Sequence, residues 1–545
     1  MSLHATSNNE GETLNAYASA EKEKAPGNED DYPHGLKLGL LMISLCLSVF
    51  LVALDNTIIA TAIPKITDQL KSLADVGWYG SAYVAFCFAS ASTQLLFGKF
   101  YTVFPVKWVY IAAISVFEIG SALCGAAPNS KALIVGRAIA GLGTAGIFSG
   151  ALIIVAHAVP LAKRPLFTGL IGAMYGIASV AGPLMGGVLT DKVTWRWCFY
   201  INLPIGAVTL LVMTFFFKMP KSAEHDAPIM AIKEQRINQF DPWGTLLFIP
   251  AIVCLLLALQ WGGSKYEWKN GRIVALFLLF GILIICFLAV QSSVKDATVP
   301  PRIFKTRSIW AGAFFSFCLG SSYFIIVFYL PIWFQAVRGV SAVKSGIDNL
   351  PMILSVVVSS LLAGSVITIL GYYTPFILLS TVLMSVGAGL LSTLTPSTGH
   401  VHWIGYQIVF GLGVGFGLQQ SVLAAQTVLD VNDVAIGTSI PIFMDKLGGA
   451  LFISIAQNVF TNKLVFGLVA HVPGVSPTLV LSAGATSLKT AIPTEYLPAV
   501  LQVYNDALMS AVYVSVAMTV LSFVGAAAME WKSIKGKNIE MATEA

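Results

Sequence analysis

Three charged residues interrupt long apolar runs in the first third of the chain, where they could move protons. Asp55 lies in "VALDNTIIATAIP", Glu118 in "VFEIGSALCG" and Arg137 in "IVGRAIAGLGTAG". A charge inside a membrane span is costly and is a functional candidate by default. The helical rise of about 1.5 Å per residue predicts that Arg137 lies at a depth between the two acids, within reach of either.

This arrangement predicts a proton-coupling site. An arginine is always charged and stabilises a neighbouring carboxylate in its ionised form. When movement weakens that contact, the desolvated carboxylate takes up a proton more readily. Asp55, nearest the outer mouth, is the favoured acceptor, and Glu118 is either a deeper alternative or a second step. A permanent structural ion pair is the competing interpretation.

The stretch "GPLMGGVL" places three glycines and Pro183 inside an apolar span. The four-residue spacing of Gly182 and Gly186 allows two helices in lipid to approach closely. Pro183 removes a backbone hydrogen bond and bends a helix. Together with Gly187, these residues predict a hinge or gate near the outer end of the fifth span, with a static packing groove as the alternative.

The twelfth and thirteenth spans hold a second set of polar residues. "GLGVGFGLQQ" ends in Gln419 and Gln420, and "PIFMDKLGG" contains Asp445 and Lys446. Adjacent helical residues point in different directions, so at most one of each pair lines a cavity. The sequence predicts substrate contact here. The alternatives are hydrogen bonds between helices and, for the charged pair, a position near the cytosol.

The composition requires a lipid environment for these residues. Of 545 residues, 56% are hydrophobic and 11% are charged, whereas a soluble protein carries about 25% charged residues. The net charge of +5 does not indicate nucleic-acid binding. There is no GxxxxGK[ST] phosphate loop, and the seven cysteines show no metal-ligand spacing. We expect an all-α integral membrane protein without a cofactor, a bound metal or enzymatic activity.

Apolar segments of span length predict fourteen transmembrane helices. An even number places both tails on one side, and the distribution of Lys and Arg predicts that this side is the cytosol. The spans are expected at residues 38–62, 77–98, 108–127, 133–157, 166–190, 198–217, 243–261, 272–291, 309–334, 346–370, 374–395, 402–424, 437–462 and 509–529.

Four sequence motifs lie along the first six predicted spans. "LDNTIIATAIPKI" lies in the first span, "GRAIAGLGTAGI" in the fourth and "ASVAGPLMGGVL" in the fifth, and "WRWCFYINLPIG" follows it. In this combination they resemble the motifs of the major facilitator superfamily. Within it, they are most similar to the fourteen-helix drug:proton antiporters, particularly fungal multidrug, toxin and secondary-metabolite efflux pumps. The resemblance extends over residues 38–530.

The resemblance assigns roles and also shows two departures. Arg137 matches the basic residue of the fourth-helix motif, which is implicated in proton transfer, and the fifth-helix glycines match the antiporter motif. In "GKFYTVFPVKW", however, Thr102 stands where the superfamily usually has Asp, and Pro105 where it usually has Gly. Asp445 and Lys446 occupy a position where close relatives often have Arg or Gln.

The resemblance implies two six-helix bundles around a central cavity, with the seventh and eighth helices inserted between them. Alternating access would come from rocking of the bundles. The expected segments are a disordered cytosolic tail at 1–35, the first bundle at 36–217, cytosolic loops with the inserted helices at 218–307, the second bundle at 308–530 with a long outer loop at 463–508, and a cytosolic tail at 531–545.

The implied function is proton-driven export of a small, largely apolar organic compound. The expected partners are that substrate, protons and the lipid bilayer, and the expected state is a monomer powered by the proton gradient. The plasma membrane is the expected location, with the vacuolar membrane as an alternative. Two other functions stay open: proton-coupled uptake or vacuolar transport of an amino acid or siderophore, and a receptor or channel without alternating access.

Overall fold

A computed structural model describes most of the chain between residues 33 and 535. The loop predicted at 218–240 and most of both tails lie outside the described residues. The described residues are 33–69, 76–217, 241–263, 266–294, 297–430, 432–481, 488 and 492–535.

The described residues fold into α-helices, a single 3-10 turn at Leu161–Lys163 and two isolated β-bridges. The helices of the first half are α1 Leu36–Gln69, α2 Val76–Val103, α3 Val106–Ala126, α4 Ser130–Ala158, α5 Arg164–Lys192, α6 Trp197–Tyr200 and α7 Asn202–Phe215. The next are α8 Pro242–Trp261, α9 Gly271–Ser293 and the short α10 Pro301–Phe304. The remaining helices are α11 Arg307–Ala336, α12 Ala342–Asp348, α13 Leu350–Leu370, α14 Thr374–Leu391, α15 His400–Gly417, α16 Gln420–Val428, α17 Val434–His471 and α18 Leu497–Ala528.

Helical segments that qualify as membrane spans match all the predicted spans except the second. Within the described ranges, thirteen helical segments are long and apolar enough to cross a membrane. Helix α2, with 28 residues, occupies the place of the second predicted span. Three predicted spans are each built from two consecutive helices, namely α6 with α7, α12 with α13, and α15 with α16.

The segment between α17 and α18 is shorter than the predicted outer loop at 463–508. Helix α17 continues to His471, and α18 already begins at Leu497. The extension of α17 is apolar, and its Leu464 and Leu468 are fully buried in the core of the second bundle. Burial of these side chains favours continuation of the helix beyond the point where hydropathy alone ends the span.

The helices pack as two bundles with an inserted pair, as predicted. In the first bundle, α1 packs on α5 and α7, and α4 packs on α2 and α3. In the second, α11 packs on α17 and α18, and α15 packs on α13 and α14. Helices α8 and α9 pack on each other, and α8 also contacts α2 and α17. The bundles meet along two main helix pairs, α5 with α13 and α2 with α17.

Close contacts between the bundles lie near one end, where α1 begins and α18 ends, here called the tail end. A Cβ added to Gly98 of α2 would lie 2.8 Å from Cβ of Ser439 on α17, too near for a real contact. A Cβ at Gly169 of α5 would lie 2.7 Å from the carbonyl oxygen of Ser360 on α13. Glycine thus allows backbones to touch at both helix pairs.

Candidate functional site

An ion pair is buried inside the first bundle. Nη1 of Arg137 on α4 donates to Oδ2 of Asp55 on α1, and both side chains are 0% exposed. Asp55 lies about 28 Å along α1 from the tail end. Arg137 lies about 10 Å along α4 from its first residue, Ser130, which is at the end opposite the tail end. The sequence predicted that Arg137 would reach one of two acids, and the structure places it on Asp55.

The surrounding side chains orient both members of this pair. Asn202 of α7 donates its amide to Oδ1 of Asp55 at 3.3 Å and to Oγ of Ser121 at 3.1 Å. The Arg137 guanidinium lies 4.4 Å from the ring centroid of Phe86 and 5.9 Å from that of Phe199. Aromatic faces and an amide donor stabilise charges that have lost their water.

Glu118 stands apart from that network. It lies on α3, one turn before Ser121, and is 8% exposed. Neither carboxylate oxygen has a hydrogen-bond partner among the described residues. A Cβ at Gly206 of α7 would collide with Oε1 of Glu118, so this glycine makes the room that the carboxyl group occupies. A buried carboxylate without donors is more stable when it carries a proton.

The predicted glycine motif lies on α5, which runs without interruption through position 183. A Cβ at Gly182 would collide with Oγ1 of Thr57 on α1. That hydroxyl donates across the same contact to the carbonyl oxygen of Ala178 at 3.1 Å. Gly186 is buried, whereas a Cβ at Gly187 would meet no heavy atom within 4 Å. The side chain of Pro183 lies outside the described residues.

The two faces of α5 therefore have different partners. Farther from the tail end, Gly182 packs against α1 of its own bundle. Nearer the tail end, Gly172 and Gly176 pack against α13 of the other bundle, where added Cβ atoms would crowd Ser360 and Val357. One helix thus contacts both α1, which carries Asp55, and α13 of the second bundle.

The predicted glutamine pair lies at the break between α15 and α16. Gln419 is 4% exposed, and its Nε2 would lie 3.2 Å from a Cβ at Gly172 of α5. Gln419 therefore sits at the contact between the bundles. Gln420 is also buried, as the first residue of α16.

The predicted charged pair on α17 points in two directions. A Cβ at Gly320 of α11 would lie 2.7 Å from Oδ1 of Asp445, so this carboxylate faces its own bundle. Lys446 instead reaches the first bundle, where its Nζ lies 5.7 Å from the ring centroid of Phe148 on α4. The two residues do not share a face, as expected for helical neighbours.

Sequence reasoning missed the residues that complete these sites. Asn202 lies in the motif "WRWCFYINLPIG", and nothing in that motif indicates a role for this residue. Phe86 and Phe148 are ordinary apolar residues in their helices, and only tertiary packing brings them to a cation. Lys107 lies in "GKFYTVFPVKW", the loop motif that differs from the superfamily pattern. Its ammonium donates to the carbonyl oxygens of Thr214 and Phe217 at 2.8 and 2.7 Å, at the C-terminal end of α7.

Long apolar helices in two bundles, with a buried charge pair and a charged contact between the bundles, define a multi-pass membrane transporter. The model of the Major Facilitator Superfamily matches residues 45–453, and the chain belongs to that superfamily. The proton:xylose symporter XylE has a similar fold, with a TM-score of 0.52 and 13% identity, over 87% of this chain and 94% of that chain.

Two relatives of higher identity are named efflux pumps. The MFS-type efflux pump MFS1 of Arthroderma benhamiae is 59% identical over 527 residues, which cover 96% of this chain and 97% of that protein. The efflux pump aflT of Aspergillus parasiticus is 49% identical, over 92% of this chain and 97% of that protein. The chain is therefore an efflux-type transporter and not an enzyme.

Proposed function

We propose that the chain is a proton-coupled antiporter that exports small, largely apolar organic compounds, such as a drug, toxin or secondary metabolite. The observation that carries this proposal is the buried Asp55–Arg137 pair, with the unpartnered carboxyl group of Glu118 nearby. In the proposal the transporter works as a monomer in the plasma membrane, and its tail end faces the cytosol. The identity with fungal efflux pumps supports the direction of transport.

The coupling begins with a proton that enters from the outer side and binds Asp55. Protonation removes the negative charge that balances Arg137, whose side chain is fully buried. Breaking a buried ion pair by removing one partner costs about 3–5 kcal/mol. The first bundle therefore cannot keep its arrangement when Asp55 is neutral, and Arg137 must find another negative partner.

Glu118 is that partner in the proposed cycle. As Arg137 turns towards α3, it stabilises Glu118 in its ionised form, and the proton that Glu118 carried leaves towards the cytosol. Glu118 lies about 18 Å from the tail end of α3, so it is the nearer of the two acids to the cytosol. The cycle resets when the proton passes from Asp55 to Glu118 and Arg137 returns to Asp55.

The contact between α1 and α5 transmits this change to the rest of the molecule. Thr57, two residues after Asp55, donates to Ala178 of α5. The opposite part of α5 packs on α13 of the second bundle. A shift of α1 that accompanies protonation would therefore move α5, and with it the contact that closes the tail end.

The experiment uses yeast cells lacking their own efflux pumps and a neutral apolar dye, Nile red. Cells that express the chain should retain less dye, and a protonophore should abolish the difference. Asp55→Asn and Arg137→Ala should each remove gradient-driven export, and Glu118→Gln should reduce it strongly. Export by each variant is compared per amount of protein at the membrane, since Arg137→Ala leaves a buried charge unpaired and lowers stability.

Asp506→Asn provides the matched control, because Asp506 is an exposed carboxylate on α18. This variant should export like the unmodified chain. Full gradient-driven export by both Asp55→Asn and Glu118→Gln would refute the coupling site. Increased dye in cells that express the chain would instead indicate uptake.

A further inference from the structure

Lys446 places a positive charge between the two bundles at the middle of the membrane. It lies about 18 Å from the first residue of α17, in a hydrocarbon layer about 30 Å thick. Its side chain is half-buried and crosses from the second bundle to Phe148 of the first. In a transporter that works by alternating access, this level and this interface are where a substrate binds.

The Lys446 ammonium has no carboxylate within 4.0 Å among the described residues. The ion pairs of that part of the chain join Arg137 to Asp55, Arg302 to Asp433, Lys344 to Asp348 and Lys532 to Glu530. The adjacent Asp445 packs against Gly320 of α11. An unpaired ammonium at mid-membrane depth is costly unless it faces an aqueous cavity or meets a counter-ion there.

Aromatic side chains of α4, α5 and α11 lie at the ring that Lys446 reaches and at the next turn of α17. Phe148 contacts Tyr175 of α5 edge-to-face, with ring centroids 5.7 Å apart. One turn beyond Lys446, a Cβ at Gly449 would collide with Phe324 of α11. Phe324 in turn contacts Tyr323, with centroids 5.6 Å apart. These rings provide apolar and stacking surface in the neighbourhood of one positive charge.

We propose that Lys446 binds an acidic group of the exported compound, while the rings of Phe148, Tyr175 and Phe324 contact its apolar body. The substrate class is then an aromatic or apolar organic anion: a carboxylate, an enolate or a sulfonate. This inference rests on the proposed export function and assigns the charge of its substrate. An organic cation of the same shape would meet a like charge at this position and bind poorly.

The test measures equilibrium binding to the purified full-length protein in detergent, without a proton gradient. The probes are 1-naphthalenesulfonate, the neutral 1-naphthalenesulfonamide and the cationic 1-naphthyltrimethylammonium, which share one ring system. The unmodified protein should bind the sulfonate about tenfold more tightly than the sulfonamide, since a charge-assisted hydrogen bond is stronger than a neutral one. The cation should bind most weakly.

Three variants separate charge from shape. Lys446→Gln should remove the preference for the sulfonate, and Lys446→Arg should keep it. Lys463→Gln is the control, because Lys463 is exposed on the same helix and its loss should change nothing. Unfolding midpoints of all variants should show that they remain folded.

Equal binding of sulfonate and sulfonamide by the unmodified protein would overturn the proposal, and so would absence of binding by all three probes. A preference that survives in Lys446→Gln would also overturn it. If Lys446→Gln instead alters only the gradient dependence of Nile red export, Lys446 belongs to proton coupling and the anion site is refuted. Because binding is measured without a gradient, failure of proton coupling in the Asp55 variants leaves this outcome unaffected.

Discussion

The two bundles differ in the partners of their basic side chains within the membrane spans. The first bundle pairs Arg137 with Asp55, both fully buried, and supports the carboxylate with an amide from Asn202. The second bundle presents Lys446 to the interface, where its ammonium lies 5.7 Å from the centroid of the Phe148 ring, and Asp445 faces α11. A charge pair inside one bundle can respond to protons, whereas an unpaired charge between bundles can respond to a bound molecule.

In the proposed mechanism, this difference separates energy coupling from substrate recognition. Glu118 lies on α3 of the first bundle, whereas Lys446 lies on α17 at the contact between the bundles, so they occupy different parts of the molecule. A substrate in the central cavity therefore need not touch the acid that carries the proton. The link between them is the packing of α5 on both α1 and α13.

The largest expected effect is the loss of stability when one member of the Asp55–Arg137 pair is removed and the other stays buried. Arg137→Ala leaves Asp55 as an uncompensated buried charge and should destabilise the protein by about 3–5 kcal/mol. The double variant Asp55→Ala with Arg137→Ala should recover much of this loss, and Lys446→Ala in the second bundle should cost far less. Thermal unfolding of the purified proteins measures all three. A loss in Lys446→Ala as large as in Arg137→Ala would break the contrast between the bundles.

A smaller effect is expected at the contact between α1 and α5. Gly182→Leu places a side chain where Thr57 lies, and overpacking of this kind costs about 1–3 kcal/mol. Export of Nile red should fall several-fold while the protein remains in the membrane. Gly187→Leu is the matched control, because Gly187 has open space around it, and its export should stay near that of the unmodified chain. Equal losses of export in both variants would contradict a specific role for the contact between α1 and α5.

Asn202 tests whether the amide donor belongs to coupling or only to folding. Asn202→Ala removes a hydrogen bond to a charged group, and gradient-driven export should fall about tenfold, equivalent to about 1.4 kcal/mol. Asn505 in the second bundle is equally buried; it accepts from Trp333 and donates to Leu394. Asn505→Ala should reduce stability but keep the ratio of export with and without a gradient. A similar change of that ratio in both variants would refute a special role for Asn202.

The smallest effect is expected outside the spans. Arg302 of α10 pairs in a bidentate manner with Asp433, next to the start of α17, and its side chain is 68% exposed. Exposed ion pairs contribute about 0–1 kcal/mol, so Arg302→Ala should lower stability only slightly, and less at high salt. Unfolding midpoints at low and high salt measure this. A loss of stability comparable to that of Arg137→Ala would show that burial does not determine how much an ion pair contributes.

Hydropathy and motif spacing predicted the helical fold and the candidate residues, because both depend on local sequence. The two-bundle architecture was predicted through resemblance, and it is confirmed. Partners across helices were not predictable: nothing near Asp55 in the sequence indicates Asn202, and nothing near Lys446 indicates Phe148. The extension of α17 was missed because burial of Leu464 and Leu468, a tertiary effect, continues the helix.

With one proton for each exported compound, the negative charge that Lys446 would select determines the electrical balance of the proposed cycle. An exported monoanion leaves through the cavity, while the entering proton travels inside the first bundle, so neither neutralises the other in transit. Each cycle then moves two positive charges inward in effect. A membrane potential of 100 mV, negative inside, would add about 4.6 kcal/mol per cycle to the driving force. Export of an anion would therefore draw on voltage as well as on the difference in pH.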